Sequence, residues 1–141
     1  MQLSLTQTVP LAGGVVVTTP SDVALEDARK AIGMFQQVKV DVLGIVENMS
    51  YFLCPHCSER TDIFSHGGGR STSEQFGVPF LGEIPLDPEV RSGGDFGSPV
   101  AARGPQSAQA KCFYEIACRT AARVSVLDLS AAPEELITIR P

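Results

Sequence analysis

Val42-Leu43-Gly44-Ile45-Val46-Glu47-Asn48-Met49-Ser50 is the stretch that decides the fold of this chain. Its first five residues are apolar without alternation, the pattern of a strand buried on both faces of a parallel sheet. Glu47-Asn48-Met49-Ser50 then leaves the carboxyl end of that strand, where open α/β sheets bind ligands. Upstream, Gly13-Gly14 leads into a second β-branched run, Val15-Val16-Val17-Thr18. Pro20-Ser21-Asp22 follows with turn and N-cap chemistry. Val23, Leu25, Ala28, Ile32 and Phe35 then recur at near-helical spacing, with Glu26 and Asp27 ahead of Arg29 and Lys30, the order a helix dipole favours. Strand, helix and strand within about 30 residues make a βαβ unit, whose crossover is right-handed by general rule.

Downstream, residues 51–65 read as an irregular or hairpin insertion around Cys54-Pro55-His56-Cys57. Gly67-Gly68-Gly69 breaks the chain before a short helix over 71–76, and Val78-Pro79-Phe80-Leu81-Gly82 is the third strand. Residues 91–105, rich in Gly, Ser and Pro, are expected to form a surface loop with one helical turn. A helix over 106–123 places Ala110, Phe113, Ala117, Thr120 and Val124 on one face, with Cys112 and Ile116 beside it. The first ten residues carry no clear pattern, and the end reads as a linker with a short strand, Leu136-Ile137-Thr138-Ile139. The expected architecture is α/β: a parallel sheet flanked by helices, with a CxxC knuckle insertion, over residues 1–124, and a tail or linker over 125–141.

The 141 residues suit one domain with a real core, and 43% hydrophobic against 19% charged residues argues against wholesale disorder. A net charge of −5 gives no electrostatic footprint for nucleic acid. No apolar run approaches the roughly 18 residues of a membrane helix, and Met1-Gln2-Leu3-Ser4 does not open a signal peptide. The expected compartment is the cytoplasm, or an organellar matrix or stroma.

The CxxC carries the sharpest chemistry. Two residues between cysteines let both sulfurs of a tight turn face one ion, as in zinc knuckles and Fe–S sites. A complete site needs four ligands, so this pair is two short. Three completions stand: His56 and His66 close a mononuclear zinc site, a second chain donates its own CxxC, or the pair is a redox dithiol. His56 lies inside the knuckle and reaches the same ion with difficulty, while a thioredoxin-type pair should open a helix after a strand. Cys112 and Cys118, six apart on a helix, point in different directions and read as buried structural cysteines. Gly67-Gly68-Gly69-Arg70 fits neither GxxxxGK[ST] nor GxGxxG, so a flexible helix start is favoured over a phosphate cradle. Asn48 and the Ile84-Pro85-Leu86-Asp87 segment each follow a strand, and on neighbouring strands they offer the rim of a base-binding pocket. Asp22, Glu26, Asp27 and Glu83 read as caps, helix surface or a strand exit, and no catalytic triad is arguable.

Gly44-Ile45-Val46-Glu47-Asn48-Met49-Ser50-Tyr51-Phe52 followed by Cys54-Pro55-His56-Cys57 resembles the Mrp/ApbC family, iron–sulfur cluster carrier P-loop ATPases related to the MinD and ParA group. The likeness extends through Val17-Thr18-Thr19-Pro20-Ser21-Asp22, His66-Gly67-Gly68-Gly69-Arg70, Phe80-Leu81-Gly82-Glu83-Ile84-Pro85-Leu86-Asp87-Pro88 and Gly93-Gly94-Asp95, from about residue 10 to residue 119. The resemblance implies a [4Fe–4S] cluster bridging two subunits, with Cys54 and Cys57 as this chain's ligands and apo iron–sulfur proteins as recipients. It also implies an adenine contact from Asn48 and a further nucleotide contact around Pro85, Leu86 and Asp87. No lysine-bearing Walker A loop or Walker B aspartate is recognisable in these residues. The match is therefore to the C-terminal half of a P-loop domain, expected not to hydrolyse Mg-ATP by itself. A non-enzymatic zinc-knuckle module, in which the CxxC pairs fix a dimer, is the alternative.

Overall fold

The computed structural model describes residues 8–131. Its centre is a three-stranded parallel sheet in the order β1-β2-β5, from β1 (Gly14–Thr18), β2 (Val42–Glu47) and β5 (Phe80–Glu83). Helix α1 (Asp22–Gln37) crosses from β1 to β2, as the apolar periodicity of that segment predicts. The path from β2 to β5 carries a two-stranded antiparallel hairpin, β3 (Phe52–Leu53) with β4 (Arg60–Thr61), and then α2 (Gly68–Phe76). After β5 come α3 (Pro88–Asp95), a single 3-10 turn (Val100–Arg103) and the long α4 (Ala108–Ala131).

The sheet is covered on both sides, which is why its strands read as continuous apolar runs. On one face Val16 and Ile45 pack against Ala28 and Ile32 of α1, with Phe35, Phe76 and Val78 closing the edges. On the other, Val46, Leu81 and Ile84 meet Phe113 and Ile116 of α4. Both β2 partners are parallel, so Thr18, Glu47 and Glu83 end side by side at one rim of the sheet. Everything chemically interesting leaves from that rim.

Three expectations are corrected. The third strand begins at Phe80 rather than Val78, because Pro79 has no N–H to give; its carbonyl instead accepts from Ile45 N at 2.8 Å. The loop expected over 91–105 is mostly helical: α3 starts at Pro88 with Asp87 as its N-cap, Oδ1 accepting from Glu89 N at 2.7 Å. The boundary at residue 124 falls inside α4, which continues to Ala131 among the described residues. The expected strand at 136–139 lies outside the described residues.

Candidate functional site

Residues 54–57 form the tip of the β3–β4 hairpin. Ser58 N donates to the Cys54 carbonyl at 2.8 Å, and Cys54 N donates to the Glu59 carbonyl at 3.0 Å. Ser58 takes a left-handed φ of 58°, which closes the turn. A hairpin knuckle was expected here, and a hairpin knuckle forms. Cys54 is half-buried and Cys57 exposed, both as free thiols. The backbone N–H groups of Cys57 and His56, joined by the Cys57 side chain, hold the Cys54 thiol below the usual thiol range. Such a thiol is biased toward the thiolate that ligates metals.

The histidines do not complete the pair. His66 sits on the far side of Arg60, its Nδ1 2.8 Å from the guanidinium and 3.9 Å from Asp62. Among the described residues no group of three or more His, Cys, Asp or Glu side chains could hold a metal ion. Cys54 and Cys57 therefore stand as a pair of free thiols with no further ligating group beside them among the described residues.

The base of the same loop is built differently. Glu47 is fully buried, and its carboxyl group accepts from Ser50 Oγ at 2.6 Å and from Gly69 N at 2.5 Å. The glycine run at 67–69 is thus a helix start occupied from within the protein. This brings α2 in at Gly68, three residues ahead of the expected start. A Cβ at Gly69 would stand 2.9 Å from Glu47 Oε2 and 3.1 Å from Glu47 Cβ, so a larger residue there would push the carboxyl group out of place.

Asn48 follows directly. Its backbone N donates to the Thr18 carbonyl at 2.7 Å, and its Oδ1 accepts from Met49 N at 2.9 Å while Met49 takes a φ of 54°. The side chain lines an open cavity of about 480 Å³ beside β1 and α1, shared with Thr18, Thr19 and Asp27. Pro85, Leu86 and Asp87 line a different and smaller cavity, of about 240 Å³, whose other walls include Tyr51, Cys54, Gln109 and Cys112. So the two candidate nucleotide contacts leave adjacent strands but face separate hollows, and residues 85–87 share theirs with the knuckle.

Cys112 and Cys118 part company. Cys118 is exposed rather than buried, because it falls on the outer side of α4. Cys112 is half-buried in the smaller cavity, where burial and then the Glu115 charge push its thiol up. Sequence reasoning passed over Tyr51 and Gln109, which line the same cavity, and Arg60, which lies over the Tyr51 ring. The only signal was the i, i+3 spacing of Gln109 and Cys112, which sets both on one helix face.

A family described as ParA, NUBPL iron-transfer P-loop NTPase, matches residues 1–121. An iron-sulfur cluster carrier protein of Deinococcus radiodurans is 52% identical over 96% of this chain, which spans 38% of that relative. The iron-sulfur cluster transfer protein NUBPL of Dictyostelium discoideum is 46% identical over 81% of this chain, which spans 35% of it. Among solved structures, a nucleotide-binding protein from Archaeoglobus fulgidus in complex with ADP superposes with a TM-score of 0.60 at 39% identity, over 68% of this chain and 40% of that one. The cell division ATPase MinD of Pyrococcus furiosus superposes at 0.59 with 25% identity, over 77% of this chain and 41% of that one. The parallel sheet between helices is thus that of a known group, and on the match over residues 1–121 and the 52% identity this chain belongs to the ParA family of NUBPL-type iron-transfer P-loop NTPases.

Proposed function

We propose that this chain holds half of a [4Fe–4S] cluster on Cys54 and Cys57, that the same pair on a second copy completes it, and that the cluster is cargo for apo iron–sulfur proteins. The observation that carries the reading is the two-thiol knuckle itself: presented at a hairpin tip, with Cys54 biased toward thiolate and no third ligand group among the described residues. Thiolate pairs of this spacing are the ordinary ligands of such clusters. The names of the relatives, iron-sulfur cluster carrier and transfer proteins, support the same cargo.

Asn48 is proposed to face adenine from the larger hollow, and Pro85, Leu86 and Asp87 to supply a further nucleotide contact from the exit of the next strand. The Asp87 side chain is spent on α3 and Gln109, so that contact comes from backbone and ring atoms. This chain contains no GxxxxGK[ST] stretch, and by itself it is proposed not to turn over Mg-ATP. Mg²⁺-dependent hydrolysis by the purified chain would overturn that. The working compartment is proposed to be the cytoplasm or an organellar matrix or stroma; a mitochondrial relative is 47% identical over 82% of the chain, and no helix among the described residues is long and apolar enough to cross a membrane.

Anaerobic reconstitution with ferrous iron and sulfide tests the cluster. Uptake of about four irons and four sulfides per two chains, with a broad visible band, is the expected result. Stoichiometric zinc that resists exchange for iron would instead establish a zinc knuckle.

A further inference from the structure

The smaller cavity joins the knuckle to the rest of the fold through one side chain. Tyr51 lies three residues before Cys54, and its carbonyl accepts from Leu86 N at 2.7 Å. Its side chain and Cys112 of α4 line the same hollow, of about 240 Å³, together with Cys54. The Arg60 guanidinium, from the opposite strand of the hairpin, lies 4.2 Å above its ring. Arg60 is itself fixed by Asp62 at 3.0 Å and Glu83 at 3.6 Å, the latter at the end of β5. On the other wall, Gln109 donates to Asp87 Oδ2 at 2.6 Å, one helical turn before Cys112. Helix α4 thus bonds the 85–87 loop with one residue and faces the hollow beside the knuckle's root with the next on that face.

A hairpin with two residues in each strand is too short to fix its own direction. Something else must aim it. We infer that Tyr51 is a positioning residue, clamped between Arg60 and Cys112, that sets the direction in which the knuckle presents Cys54 and ties it to the 85–87 loop. Cys112 acts here as a non-ligand thiol. The inference rests on the cluster reading above and deepens it, because partners outside the ligand set govern how firmly ligands hold a metal.

The test is a double-mutant cycle on the full chain, loaded anaerobically. The rate of iron loss to a ferrous chelator, the visible circular dichroism of the cluster and the melting temperature are recorded together. Tyr51→Phe deletes only the hydroxyl, and Cys112→Ala only its sulfur. Each is expected to load the same iron and sulfide as the parent, to lose it about tenfold faster, and to change the cluster's dichroism. The double variant should be no worse than either single one, since both remove one contact. Cys112→Ser, which keeps an acceptor for the phenol, should restore slow release.

Variants that release iron at the parent rate, or effects that simply multiply in the double variant, overturn the positioning role. So does a Cys112→Ala chain that takes up no iron, because Cys112 would then be a ligand. A parent chain that takes up neither iron nor sulfide is a separate failure: it removes the cluster reading, and the positioning role with it.

Discussion

The loop that leaves β2 is held in opposite ways at its base and at its tip. At the base, Glu47 has no solvent exposure, and both its oxygens accept bonds from elements it orients, Ser50 and the first turn of α2. At the tip, Cys57 and His56 are exposed, and a ladder of two residue pairs is the regular structure. The base is a tertiary lock and the tip a presented surface. That difference suits the proposed carrier role: the thiols proposed to hold the cluster stand off a buried, fully hydrogen-bonded base. It also separates two kinds of buried and exposed polar chemistry, one spent on stability and one left for a partner.

The comparison is broken most directly at the base. Glu47→Ala strands the Gly69 N–H and the Ser50 hydroxyl in a buried site, which costs about 3 kcal/mol, and a melting temperature about 10 °C lower is expected by calorimetry. Glu47→Gln keeps the size and one acceptor but turns an amide nitrogen toward a donor. It should fall between the parent and Glu47→Ala. A Glu47→Ala protein that melts with the parent would mean that the base is no firmer than the tip. Asp87→Ala probes the seam between the regions. It removes the α3 cap and the Gln109 bond together, about 2 kcal/mol in sum. Thermal melts should show roughly two thirds of the Glu47→Ala effect.

These two carboxyl groups also mark what could be read from the sequence. Asp87-Pro88-Glu89 is a local N-cap signal, complete within three residues, and the helix it starts was hidden only by the Gly93-Gly94 pair further on. Gly93 is buried in that helix because a Cβ would stand 2.8 Å from the Ser98 carbonyl, so its glycine reports close packing and not a loop. The link from Glu47 to Gly69 spans 22 residues and has no local signature at all. The same contrast holds in the candidate site. Cys54 and Cys57 are legible because their spacing is their chemistry, and β1, α1 and β2 because apolar period encodes burial. Tyr51, Arg60, Gln109 and Cys112 become neighbours only once the sheet, hairpin and α4 are assembled.

At the tip the expected stability effect is small and the chemical effect complete. Cys54→Ser with Cys57→Ser should change unfolding free energy by no more than about 0.5 kcal/mol, the ordinary range for surface substitutions away from the core. Reconstituted protein should nonetheless carry no iron. A large loss of stability in the metal-free double variant would show that the thiols brace the hairpin, and the base–tip distinction would fail.

The finest probe sits where tip and body meet. Burial, and then the neighbouring Cys112, pushes the Tyr51 hydroxyl above the ordinary phenol value of 10.0, with Arg60 pulling the other way. A neutral acid whose folded pKa lies above its unfolded one contributes stability that is fully present below about pH 10. That contribution is lost as pH rises through the raised value. The chain has two tyrosines and no tryptophan, so phenolate absorbance resolves the ionisation cleanly. Tyr51→Phe should abolish the late step, and Cys112→Ala should move it back toward 10. If the late step survives Cys112→Ala unmoved, burial and the Glu83 charge raise it without Cys112, and α4 does not grip the knuckle's root through that thiol.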